Sequence, residues 1–186
     1  MLVTKPYNRE RAVEYARTWA LRRNPLFIDF TGIGGNCTNF VSQCILAGSC
    51  TMNYTPDFGW YYASPEDRAP AWSSVEYFYD FMTGQRNFPE KNGGVGPFAT
   101  EVARESAQVG DAVQYATADG DWYHTVIISE IRDSEIYVCA QSDDALDRPI
   151  STYRFASARF LHVEGVRISV DDTACYDFLL RGGDEQ

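Results

Sequence analysis

Histidine is nearly absent from this 186-residue chain, which carries only His124 and His162. A site that needs several imidazoles is therefore excluded. The five cysteines (Cys37, Cys44, Cys50, Cys139 and Cys175) are an odd number, and none stand in a Cys-x-x-Cys pair. Neither a disulfide framework nor a zinc knuckle is expected from that spacing. Basic residues are also few. With 16 Lys and Arg against 26 Asp and Glu, the net charge of -10 repels nucleic-acid phosphate and anionic lipid. Neither nucleic acid nor a membrane is expected as a partner. No apolar run approaches the about 18 residues of a membrane-spanning helix, and Met1 to Arg11 lacks the apolar stretch of a signal peptide. The chain as it stands reads as cytoplasmic, and a secreted form would require a leader removed beforehand. Internal repeats, low-complexity tracts and linkers are missing too, so residues 1–186 are expected to form one domain.

What is present is the material of a folded core: 45% hydrophobic residues and 15% aromatic ones. Asn8 is a good N-cap for a helix over 9–23, in which Ala12, Val13, Ala16, Trp19 and Ala20 recur at helical spacing before Asn24-Pro25. A second helix is expected from Cys37 to about Ala47, with Phe40, Val41, Cys44 and Ile45 on one face and Gly48 as its stop. The span from Cys50 to Ala71, rich in proline and aromatics, reads as a long ordered loop. Ser73-x-x-Glu76 has capping-box spacing and predicts a third helix ending at Gly84. Asn92 to Pro97 reads as another loop. Beyond Gly110-Asp111 the pattern turns to strands: Ala112 to Tyr115, Tyr123 to Ser129, Glu135 to Ala140 and Phe160 to Ile168. Helices first and antiparallel strands after indicate an α+β fold.

Cys37 follows Gly34-Gly35-Asn36 and heads the second helix. Unpaired N–H groups and the helix dipole at that position favour a thiolate, the reactive form of cysteine. The Cys37 backbone N–H is also placed to hold a developing oxyanion. A buried cysteine often serves only as a small apolar residue, and His124 tips the balance by supplying a base and acid for a nucleophilic thiol. His162 lies in Phe160-Leu161-His162-Val163, has no turn or polar cluster beside it, and reads as a structural strand histidine. Gln141 and Asp143 are the candidates to orient the imidazole: a carboxylate would stabilise the imidazolium, whereas an amide would fix the tautomer. Cys44, two helical turns and about 10 Å from Cys37, reads as core rather than as a disulfide partner. Cys139 and Cys175 are read in the same way.

The segments Tyr7-Asn8-Arg9, Asn36-Cys37-Thr38-Asn39-Phe40-Val41-Ser42-Gln43-Cys44, Gly59-Trp60, Gly110-Asp111, His124-Thr125-Val126-Ile127 and Ser142-Asp143-Asp144 resemble the papain-like cysteine amidases of the NlpC/P60 and CHAP type. They resemble the bacterial putative amidase domain family more closely, over almost the whole chain. The resemblance implies a papain-like fold, Cys37 as nucleophile, His124 as base, no cofactor, and amide or peptide substrates such as cell-wall stem peptides. The chain departs from the family pattern at Gln141, where relatives often carry histidine.

Three other readings stay open at this level. An acyl-enzyme on Cys37 can pass its acyl group to an amine or alcohol instead of water. A non-catalytic peptide- or glycan-binding module can use Trp60, Tyr61, Tyr62, Trp72, Trp122 or Tyr123 as a recognition surface; of these, Trp60, Tyr61 and Trp122 are the candidate substrate-binding residues. A zinc enzyme built on the histidines and cysteines ranks last, and no metal site is expected.

Overall fold

The computed structural model describes residues 1–170; Cys175 lies outside them. The chain opens on a short strand, β1 (Leu2–Lys5), and Asn8 then caps α1 (Arg9–Trp19), its side chain accepting from the Arg11 N–H at 3.0 Å. The buried face of α1 is Ala12, Val13 and Ala16. Small side chains there let α1 lie close against α2 (Cys37–Ser49), a helix buried along nearly its whole length.

The expected helix to Arg23 stops at Trp19. The Gln141 amide donates to the carbonyls of Trp19 and Arg22 (2.8 and 3.0 Å), a side-chain satisfaction of helix-end acceptors that periodicity does not reveal. Conversely, α2 runs past its expected stop. Gly48 remains helical, and a Cβ there would collide with the Tyr7 ring and sit 2.7 Å from the Asn8 carbonyl. That glycine allows close approach of two segments. Cys50, in the left-handed region at φ 49°, ends the helix instead.

Two short helices, α3 (Pro70–Ser73) and α5 (Phe88–Asn92), flank α4 (Val75–Thr83). The cap of α4 is Ser74 rather than Ser73, which already belongs to α3. The Ser74 hydroxyl accepts from the Tyr77 N–H, and Gly84 closes the helix at φ 69°.

The remaining strands are β2 (Gly96–Val102), β3 (Ala112–Ala116), β4 (Trp122–Arg132), β5 (Glu135–Ala140), β6 (Ala145–Pro149) and β7 (Ser157–Ser169). They form one antiparallel sheet in the order β1-β7-β3-β4-β5-β6, with β2 on the other edge of β7. The long strand β7 organises this sheet, since one edge carries β3 along its first half and β1 along its second.

Period-2 alternation separates two cores. On the helix side, Ile127, Leu161 and Val163 pack with Phe40, Val41, Ile45, Trp60, Trp72 and Met82. On the other side, Val126 and Ile128 pack with Tyr115, Val138, Ile150 and Phe160. The α+β class and antiparallel sheet match the expectation from sequence. Among the described residues no helix is long and apolar enough to cross a membrane.

Candidate active site

Gly34 and Gly35, at φ 105° and 102°, turn the chain into the head of α2 through backbone that only glycine adopts readily. Among the described residues no side chain caps this helix, and the first helical N–H in register is that of Phe40, donating to the Asn36 carbonyl at 3.0 Å. The N–H groups of Cys37, Thr38 and Asn39 therefore precede the helical ladder. The Asn36 side chain is engaged elsewhere. Its Oδ1 accepts from the Phe30 N–H and the Asn39 amide at 2.9 and 2.8 Å, and its Nδ2 donates to Gln141 Oε1.

Cys37 is buried at 7% exposure, and its Sγ lies 3.8 Å from Thr38 Oγ1. One chain neighbour of Cys37 is bonded to the turn after β5 and the other to β4. The Asn36 N–H donates to Ser142 Oγ, next to Asp143, and Thr38 Oγ1 meets Thr125 Oγ1 at 2.9 Å, next to His124. Cys37 is thereby tied, through its two chain neighbours, to the residues next to Asp143 and His124. Among the described residues no hydrogen bond joins Sγ to the imidazole. Alternation along β4 explains why: Thr125 faces α2, while His124 turns with Val126 to the opposite face.

There His124 sits among aromatic rings, with centroids of Tyr115, Tyr153 and Tyr123 at 5.9, 6.2 and 6.3 Å. Its Nε2 is buried and has no hydrogen-bond partner among the described residues. Burial pushes its pKa down to about 4; the Asp143 charge opposes that shift and the Arg148 charge adds to it. The imidazole is accordingly neutral at neutral pH.

His124 lines a cavity of about 530 Å³ together with Tyr123, Ser142, Asp143, Arg148 and Tyr153. Arg148 crosses the Tyr153 ring at 3.9 Å and donates to Asp143 Oδ2 at 2.8 Å, holding the carboxylate at the cavity rim. Since Ser142 also accepts from the Asn36 N–H, this wall is bonded to the residue preceding Cys37.

Several sequence-level expectations need correction. Among the described residues Gln141 makes no hydrogen bond to His124: its amide is spent on Asn36, Trp19 and Arg22. Trp60 is fully buried, stacks with Phe81 and donates to Ser42 Oγ at 3.0 Å, so it is core. Tyr61 is buried too, bonds Asp67 through its hydroxyl at 2.9 Å and lies beside Tyr54. Trp122 lies under the Arg159 guanidinium at 3.9 Å. None of these three aromatics lines the His124 cavity. Tyr123 and Tyr153 do. The alternation around His124 could have pointed to Tyr115 across the strand pair, but nothing local in the sequence ties Tyr153 to it.

His162 is structural, though its partner is a carboxylate. Asp111 is completely buried and accepts from Arg9 Nη1 at 2.5 Å, from the N–H groups of Gln108 and Val163 at 2.8 and 3.0 Å, and lies 2.9 Å from His162 Nδ1. This clamp joins α1, the start of β3 and β7. Cys44 and Cys139 are buried, and burial raises both thiol pKa values. They are core residues. Among the described residues no three His, Cys, Asp or Glu side chains are grouped as metal ligands.

A family model described as Putative amidase domain matches residues 6–163. Among curated proteins, Uncharacterized protein YhbB of Bacillus subtilis (strain 168) is 32% identical over 126 residues, a stretch covering 66% of this chain and 37% of the relative. The chain therefore corresponds to well under half of that longer protein. No solved structure matches.

Proposed function

Because the chain belongs to the Putative amidase domain family, we propose that it is a cysteine amidase or peptidase of papain-like type, hydrolysing an amide through an acyl-enzyme on Cys37. One observation carries this reading above the others: the residues on either side of Cys37 are hydrogen-bonded to Ser142 and Thr125, the immediate neighbours of Asp143 and His124.

In this mechanism the amide occupies the His124 cavity with its carbonyl toward the head of α2. Neutral His124 takes the thiol proton, Sγ attacks the carbonyl carbon, and the backbone N–H groups that open α2 hold the oxyanion. Protonated His124, made a strong acid by its apolar surroundings, then gives its proton to the departing amine. Water attacks the thioester and releases the acid. The imidazole must move toward α2 when substrate binds, since catalytic hydrogen bonds are often open in the free enzyme. Asp143, held by Arg148, supplies the negative charge that stabilises the imidazolium once it forms. The substrate class proposed is peptide amides, cell-wall stem peptides among them.

Hydrolysis of a panel of such peptides tests the proposal. Cys37→Ala is expected to abolish turnover, and His124→Ala to lower kcat/KM by at least about 100-fold, the usual scale of acid–base assistance. Turnover that survives Cys37→Ala would refute it.

A further inference from the structure

On the helix face of the sheet, a chain of buried polar groups runs away from Cys37. Thr38 Oγ1 lies 3.8 Å from Sγ and 2.9 Å from Thr125 Oγ1, Gln114 Nε2 lies 3.2 Å from Thr125 Oγ1, and Arg159 Nε lies 2.8 Å from Gln114 Oε1. Thr38, Thr125 and Gln114 are buried, and Arg159 is only 7% exposed. Its guanidinium is held between the rings of Tyr79 and Trp122 at 3.6 and 3.9 Å, with Glu76 at 3.6 Å from Nη2.

The Gln114 amide has one orientation, because two of its partners each allow only that arrangement. Arginine is donor-only, so Gln114 must present Oε1 to Arg159. Gln114 Nε2 also donates to the Val75 carbonyl at 2.9 Å, an acceptor-only group, which demands the same amide orientation. Nε2 therefore donates to Thr125 Oγ1. The Thr125 hydroxyl, having accepted, is free to turn its proton to Thr38 Oγ1, an arrangement that leaves the Thr38 proton for Sγ.

We propose that Arg159, Gln114 and Thr125 are positioning residues that hold the Thr38 hydroxyl as a donor to the Cys37 thiolate. Thiolate stabilisation then comes from the helix side of the sheet, independently of His124, which faces the other side. This inference rests on Cys37 being the nucleophile. The titratable groups next in sequence to the residues bonded on either side of Cys37 are His124 on β4 and Asp143 after β5, and among the described residues neither is hydrogen-bonded to the thiol.

The test is the Cys37 thiol pKa, read by mass spectrometry as the pH dependence of iodoacetamide alkylation in the full chain. A hydrogen bond to a charged acceptor corresponds to about 1–2 pKa units, so Thr38→Val should raise the Cys37 value by that amount and slow alkylation about 10- to 100-fold at a fixed lower pH. Thr38→Ser should restore the native value. Gln114→Glu is the stricter variant. A carboxylate can only accept, so Thr125 would donate backward, Thr38 would follow, and the Cys37 pKa would rise. If the effect travels through the hydroxyls, Gln114→Glu should add little in a Thr125→Val background.

An unchanged pKa in Thr38→Val overturns the proposal, as does an equal Gln114→Glu effect with and without the Thr125 hydroxyl. Peptide turnover reads the amidase separately. Relay variants that shift the thiol in a protein showing no turnover would sink the amidase reading and keep the relay. Turnover with an insensitive thiol would do the reverse.

Discussion

Lowering the pH from about 7 to about 4 asks the protein to place a charge on His124 within its ring of tyrosines. The unfolded chain accepts that proton near pH 6.5, whereas the folded protein resists it until about pH 4. Between those values the unfolded state binds more protons, so stability rises with pH. The His124 contribution is fully present above pH 6.5 and lost as pH falls through 4. A tenfold difference in proton affinity between the two states corresponds to about 1.4 kcal/mol, so this one residue accounts for a loss of about 3 kcal/mol. At 7% exposure solvent screening takes little from that figure. Urea unfolding at several pH values, wild type against His124→Phe, isolates it, because acid effects from carboxylates are common to both proteins. The variant should lose markedly less stability between pH 7 and pH 4. An NMR titration of His124 gives the same answer directly. Parallel stability curves, or an imidazole that titrates at or above pH 6.5, would refute the reasoning; the higher value is what a resting thiolate–imidazolium pair produces.

Three further outcomes follow from the geometry. Arg9→Ala leaves the buried Asp111 carboxylate without its cation and should cost about 3–5 kcal/mol by urea denaturation, a value near zero counting against the clamp. Gly48→Ala forces a methyl group onto the Tyr7 ring and the Asn8 carbonyl, and a loss of about 1–3 kcal/mol is expected in the same assay. Gln141→Ala uncaps the end of α1 and should destabilise by about 1–3 kcal/mol while leaving the His124 titration where it was; a moved titration would restore Gln141 as the residue that orients the imidazole.

The parts of this molecule that could be read from sequence are those whose physics is local. Asn8 before an apolar period, two glycines before Cys37 and the period-2 run after His124 each settle their own conformation. The edge strands could not be read in that way. β2 begins at Gly96-Pro97, and β6 is the turn-like Ala-Leu-Asp-Arg-Pro, so both are strands because β7 and β5 offer them hydrogen bonds. The site divides along the same line. Placing Cys37 at a helix head needs only the chain before it. Which face His124 takes depends on the register of β4 against β3, and the partners of Gln141 lie more than 100 residues away. Trp60 and Tyr61 looked like a binding surface because aromatic composition does not distinguish a core from a cleft.

The most direct test of Cys37 as nucleophile has a control within the chain, since Cys37 is buried and Cys50 is exposed. The protein is treated briefly with p-nitrophenyl acetate, quenched in acid, and the acetylated cysteine is located by mass spectrometry. Acetylation of Cys37 ahead of Cys50, with a burst of nitrophenolate that disappears in Cys37→Ala, is the result expected of an acyl-enzyme. Acetyl on Cys50 first, with no burst, would contradict it.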